Sequence, residues 1–127
     1  NVPWQKRYMS VAKQLRYKFI LCIEGNDVAT NLKWTMSSNS LCMMTKPKYE
    51  TWFMEGVLGA GKHYVELKDD YSDLEEKILY YTEQIDEAKA IIANAHDHVA
   101  QFLDQDREDL IALSVLEKYF KLSGQCE

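Results

Sequence analysis

The sequence predicts an α/β protein with a parallel sheet flanked by helices, and three observations carry that reading. Short apolar runs of strand length alternate with stretches of helical spacing. The first two runs are apolar throughout or nearly so, as covered parallel strands are. Each successive pair is separated by enough chain for a helical crossover. With 127 residues and 14.8 kDa, the chain is long enough for one domain with a real core, and residues 1–127 are read as a single unit.

The elements follow in order. Trp4, Tyr8, Val11, Ala12 and Leu15 recur at helical spacing, so the chain opens on a short amphipathic helix. Tyr17 to Ile23 is an apolar, partly β-branched and aromatic run, read as a buried strand. Glu24-Gly25-Asn26-Asp27 punctuates its end, and Val28 to Met36 resumes helical spacing with Asn26 or Asp27 as the cap. After the polar break Ser37 to Ser40, Leu41 to Met44 is a second strand. Thr45 to Lys48 breaks the chain again, Tyr49 to Glu55 reads as a short aromatic helix, and Gly56 to Lys62 is a loop with three glycines. His63 to Leu67 alternates as a third strand.

Ser72-Asp73-Leu74-Glu75 has capping-box spacing and predicts a helix from about Asp73 to Thr82. Asp86 caps the next, whose Ala88, Ile91, Ile92, Ala95, Val99, Phe102 and Leu103 form one apolar stripe. Asp106 opens the last, with Leu110, Leu113, Leu116 and Phe120 ahead of Gly124.

Composition narrows the function. The net charge of −5 divides unevenly: residues 1–65 carry nine Lys/Arg and four Asp/Glu, residues 66–127 six and sixteen. An acidic total argues against nonspecific nucleic-acid binding, while the basic first half leaves room for one local anion site, which suits a small phosphorylated ligand. Cys22, Cys42 and Cys126 are odd in number and lack Cys-x-x-Cys spacing, so they indicate neither a disulfide framework nor a zinc site, and a reducing compartment follows. No apolar run approaches the ~18 residues of a membrane span. A start at Asn1 without an initiator Met suggests an excised segment.

In parallel sheets ligands collect where strand ends lead into helices. Two loops qualify here. Glu24 to Asn31 offers a glycine for close approach (Gly25) with Asn26, Asp27, Thr30 and Asn31, and Lys33 follows. The second places Lys46 and Lys48 around Pro47, then Tyr49, Glu50 and Trp52. Lysines supply charge for a phosphate, and a carboxylate accepts hydrogen bonds from ribose hydroxyls. On spacing alone a plain turn-and-cap role serves these residues as well, and Trp52 and Phe53 read better as core. His96-Asp97-His98 does not read as a metal site, because helical residues two apart point in nearly opposite directions. His63 is left as either a site residue or an ordinary polar edge.

The ordered set Glu24-Gly25-Asn26-Asp27-Val28-Ala29-Thr30-Asn31-Leu32-Lys33-Trp34, Ser37-Ser38-Asn39-Ser40, Lys46-Pro47-Lys48-Tyr49-Glu50-Thr51-Trp52-Phe53, His63-Tyr64-Val65 and Asp70-Tyr71-Ser72-Asp73-Leu74 resembles glycosyltransferase family 90, most closely its bacterial lipopolysaccharide group. The resemblance implies one Rossmann-like half of a GT-B type enzyme, the C-terminal half that holds the nucleotide-sugar donor. It implies sugar transfer from a nucleoside diphosphate to an acceptor hydroxyl, in lipopolysaccharide or surface-polysaccharide synthesis, with no required metal or other cofactor. The catalytic base and most acceptor contacts are implied to lie in the N-terminal half, so this chain alone is expected to be inactive and, with its docking face uncovered, to self-associate. A cytoplasmic location, peripheral to the inner membrane, goes with that role. Glu24-Gly25 matches the acidic-glycine turn, Asp27 to Lys33 the donor-facing helix, and Tyr49-Glu50 a tyrosine-glutamate pair in which Glu50 takes the ribose; Asn31 stands where eukaryotic relatives carry an arginine toward the diphosphate. The other reading is a noncatalytic nucleotide-binding or interaction domain that kept the fold.

Overall fold

The computed structural model describes residues 8–125; Trp4 of the predicted opening helix and Cys126 lie outside them. Three strands, β1 (Phe19–Leu21), β2 (Leu41–Thr45) and β3 (Val65–Leu67), form a parallel sheet in the order β1-β2-β3. Phe19, Ile20 and Leu21 pair with Leu41, Cys42 and Met43, while Met43, Met44 and Thr45 pair with Val65, Glu66 and Leu67. The expected parallel neighbours are therefore present, with tighter bounds. Tyr17 and Ile23 fall outside β1 and are 58% and 54% exposed.

Five helices accompany the sheet: α1 (Val11–Gln14), α2 (Leu32–Met36), α3 (Leu74–Glu83), α4 (Ile85–Ala100) and α5 (Gln105–Ser123). Strand alternation sorts the core into two layers. Ile20, Cys22, Cys42, Met44 and Tyr64 meet Leu32 and Met36 of α2 and Ala95 of α4 on one face. Leu41, Met43, Val65 and Leu67 meet Tyr81 of α3 and Ile91 of α4 on the other. One helix, α4, thus serves both layers. Its predicted stripe is buried or half-buried from Ala88 to Phe102, but Leu103 is 78% exposed in a short 3₁₀ turn, Gln101–Leu103, that ends the helix and turns the side chain away.

Several local expectations are corrected. Helix α2 starts at Leu32 and not at Val28: Asn31 spends its amide on the Leu21 carbonyl at 3.0 Å, and Asp27 Oδ1 accepts from Val28 N at 2.8 Å, so neither Asn26 nor Asp27 caps a helix. The expected aromatic helix over Tyr49–Glu55 is absent; only a 3₁₀ turn, Glu55–Val57, forms. The helix predicted from Ser72-Asp73 is present as α3, but without a capping box, since Asp73 Oδ1 accepts from Lys68 N. Asp104, and not Asp106, caps α5 by accepting from Arg107 N. Asp86 lies in the first turn of α4, behind Gln84.

The stripe on α5 also differs from a core-facing helix. None of its residues is buried, and Leu110, Leu113 and Leu116 are 66%, 64% and 50% exposed. No helix among the described residues is long and apolar enough to cross a membrane.

Two buried phenols set an alkaline limit on stability. Burial, reinforced by Glu66 beside its hydroxyl, pushes the Tyr64 phenol well above its ordinary 10.0, and burial with Glu87 raises Tyr81 likewise. A phenol held above its unfolded value keeps a proton that the unfolded chain releases, so this stabilisation is complete below about pH 10 and is lost as pH rises through the folded values. Denaturant titrations from neutral pH upward should show the unfolding free energy falling above about pH 10, with a shallower fall in Tyr64→Phe. A slope unchanged in that variant would exclude Tyr64 as a source.

Candidate functional site

Parallel strands end on the same side, so the loops after β1, β2 and β3 gather at one edge of the sheet, and two carboxylates tie them together. Glu24, half-buried after β1, accepts from Lys48 N through Oε2 at 3.0 Å and from Tyr49 N through Oε1 at 3.4 Å. Lys48 Nζ in turn lies 3.4 Å from Asp69 Oδ1 in the loop after β3. That ion pair is largely exposed and holds weakly. The Glu24 bonds matter more: a carboxylate on two backbone amides is a charge-assisted contact, and it joins two loops 24 residues apart in sequence.

The loop between β2 and the 3₁₀ turn is folded back by a third carboxylate. Glu55 is only 1% exposed, and it accepts from Thr51 N at 2.6 Å and from Thr51 Oγ1 at 2.8 Å. Thr51 Oγ1 also accepts from Phe53 N. Glu24 and Glu55 therefore grip the loop on either side of Glu50, which is exposed.

The sequence-predicted residues take distinct places. Gly25 donates to the Asp27 carbonyl, and a Cβ there would meet nothing within 4 Å, so the protein itself leaves the space beside it open. Asn26, Asp27 and Thr30 are exposed in the same loop. Asn31 donates its amide to the Leu21 carbonyl at the end of β1. Lys33 is exposed, with its ammonium 5.9 Å from the Phe53 ring centroid. Lys46 borders a hollow of about 210 Å³ that also touches Glu55, Gly56, Tyr64 and Glu66. Among the described residues neither Lys33 nor Lys46 has a carboxylate within ion-pair distance, and their charge is unspent. Lys48, Tyr49 and Glu50 share the gripped loop.

Phe53 is core, as expected, but Trp52 is 51% exposed and donates its indole N–H to Glu108 of α5 at 2.9 Å. The histidines are occupied. His96 Nε2 pairs with the Ser38 carbonyl, while His98 pairs through Nε2 with the Phe53 carbonyl and through Nδ1 with the Gln101 amide. His63 Nδ1 accepts from Gly59 N at 2.8 Å. Burial, with Lys62 and His98 nearby, holds His63 below the usual histidine range. Cys22 and Cys42 are buried core residues whose sulfurs stand 3.5 Å apart.

The sequence reading missed Glu55 and Asp69 as parts of this edge. The signal for Asp69 was the strand-end rule itself, applied to two loops when the sheet has three. For Glu55 it was a lone carboxylate inside the apolar run Trp52 to Leu58.

The chain matches glycosyl transferase family 90 over residues 3–125. It is 55% identical over 120 residues to the O-glucosyltransferase LpsA of Dichelobacter nodosus, covering 94% of this chain and 38% of that protein. It is 31% identical over 105 residues to protein O-glucosyltransferase 3 of Homo sapiens, covering 82% of this chain and 20% of the relative. A protein of Invertebrate iridescent virus 6 described as uncharacterized protein 179R is 30% identical over 101 residues, which is 74% of this chain and 8% of that protein. The chain thus spans well under half the length of these relatives. No solved structure matches it. Residue for residue, nearly the whole chain is accounted for by one family, and this protein belongs to glycosyl transferase family 90.

Proposed function

We propose that this chain is the donor-binding part of a glucosyltransferase: one Rossmann-like half of a GT-B type enzyme, which holds a nucleoside diphosphate glucose while the sugar passes to an acceptor hydroxyl. The observation that carries the reading is the grip of Glu24 on the Lys48 and Tyr49 amides, which draws two strand-end loops into one surface that carries the exposed Glu50, with Lys46 in the same loop. Glu50 takes the vicinal ribose hydroxyls, since a free carboxylate accepts two at once. Lys33 and Lys46 stabilise the departing diphosphate by charge alone, as preorganised electrostatic catalysis does, with no covalent step on this chain. Glucose as the sugar is supported by the names of the relatives. A surface polysaccharide as the acceptor extends the resemblance to the bacterial lipopolysaccharide group.

The uncovered apolar residues of α5 are assigned to contact with the remainder of the enzyme. Tyr119 and Leu122 are 56% and 79% exposed, and a contiguous exposed apolar face marks an interaction surface.

Calorimetric titration of the full polypeptide with the uridine, adenosine, guanosine and thymidine diphosphates of glucose tests the reading. One donor should bind, and Glu50→Gln should weaken it about tenfold, the effect of losing a hydrogen bond to a charged group worth about 1.5–3 kcal/mol. Lys33→Ala and Lys46→Ala should lower turnover. Binding without turnover would favour a noncatalytic nucleotide-binding domain, and an unaltered Kd in Glu50→Gln would remove Glu50 from the site.

A further inference from the structure

We infer that Glu55 and Gly56 are positioning residues that set the Glu50 carboxylate in place; this rests on the donor reading of Glu50 above. Three features of a short surface loop converge on that one side chain. First, Glu55 is almost wholly buried without a cationic partner among the described residues and spends both carboxylate oxygens on Thr51. Burying a carboxylate is costly, and a fold tolerates it where the hydrogen bonds fix something that matters. What they fix is the residue next to Glu50.

Second, Met54 holds the left-handed backbone conformation, φ 56° and ψ 55°, which a residue with a Cβ adopts at a cost. Its N–H returns to the Thr51 carbonyl at 2.9 Å. This turn is what allows Glu55, four residues on, to reach back under Thr51. A glycine at 54 would relieve the strain, so the conformation is imposed by its surroundings.

Third, the turn brings Gly56 directly beneath Glu50. A Cβ on Gly56 would lie 3.0 Å from Oε1 and 3.3 Å from Cδ and Oε2 of Glu50. Gly56 does not have a positive φ, so glycine is not required there by the backbone. The space a Cβ would take is instead filled by the Glu50 carboxylate. The obstacle is the far end of a flexible side chain, so an added methyl would push the Glu50 carboxylate aside by a few tenths of an ångström and leave the fold intact. Glu55 and Gly56 thus act on the donor only through Glu50: one sets the height of the loop, the other clears the space its carboxylate occupies.

Gly56→Ala in the full polypeptide is the test, read by titration with the four nucleoside diphosphate glucoses named above. It should melt with the wild type yet weaken the donor that binds by about tenfold, comparable to Glu50→Gln. In a Glu50→Gln background the same substitution should add little, because residues that act through one group are not additive. Thr51→Val, which removes one of the two donors to Glu55, should weaken the donor in the same direction, and Thr51→Ser should restore it. Wild-type affinity in Gly56→Ala, or a loss that persists in full in the Glu50→Gln background, would overturn the inference. If the wild type binds none of the four donors, the functional reading fails, and a crystal structure decides the positioning: the Glu50 carboxylate in van der Waals contact with Gly56 in wild type and moved off it in Thr51→Val supports it, and an unmoved carboxylate overturns it.

Discussion

Tyr64→Ala is expected to cost about 3–5 kcal/mol, the range for deleting a buried aromatic ring. Tyr64 is 1% exposed and stands at the entry to β3 among Ile20, Cys42, Met44 and Phe53, the layer that also receives α2 and α4. Its hydroxyl donates to Glu66 Oε2 at 2.9 Å, so truncation opens a cavity and also leaves an edge carboxylate without its partner. Against a total of about 5–15 kcal/mol for a domain of this kind, the loss takes a large share, and the thermal midpoint should fall by on the order of 10 °C or more. Leu113→Ala, at a position 64% exposed on α5, should change stability by no more than about 0.5 kcal/mol. Denaturant unfolding of both variants checks the contrast. Equal costs would mean that α5 is packed in solution and that the layer around Tyr64 is not the core.

The strands were legible because covered parallel strands leave an unmistakable trace: Leu41 to Met44 has no polar residue to interrupt it, and β2 is buried along its whole length. What was not legible is where long-range contacts override local spacing. Tyr49 to Glu55 has the aromatic spacing of a helix, yet Glu24 takes the Lys48 and Tyr49 amides and Glu55 takes that of Thr51. A partner 24 residues upstream leaves no mark on the local period. Asn31 shows the same thing at smaller scale, since its bond to Leu21 shortens a helix that the pattern of Val28 to Met36 would extend.

The site divides along the same line. The candidate edge can be placed from strand order and the strand-end rule, and its candidate residues from motif order. The roles within it needed coordinates. Glu24, expected among the donor-binding residues, accepts hydrogen bonds from the backbone of the neighbouring loop. Glu50 is the carboxylate left free. The Asp106 helix looked like one more layer, but among the described residues none of its stripe is buried, as in an amphipathic helix whose apolar face is uncovered.

The largest effect is expected in transfer itself: the 127-residue chain should transfer glucose at least about a hundredfold more slowly than the full polypeptide, because general base catalysis alone contributes about 10²–10⁴. A base must reach the acceptor hydroxyl within hydrogen-bond distance, and the three histidines and two of the buried or half-buried carboxylates are otherwise engaged. His98 has both ring nitrogens bonded, His96 is tied to Ser38, and His63 spends Nδ1 on Gly59; Glu24 and Glu55 hold backbone. Glu50 is free, but on the present reading it holds the ribose, at a distance from the anomeric carbon. An open edge adds a second deficit, since water there screens the lysine charges that would stabilise the diphosphate. Release of nucleoside diphosphate and incorporation of labelled glucose, measured side by side for the two forms with one acceptor, give the ratio. Light scattering on the shorter form should report association through α5. Turnover within about tenfold of the full polypeptide, from a chain that stays monomeric, would place a base on this chain and overturn the division of labour proposed here.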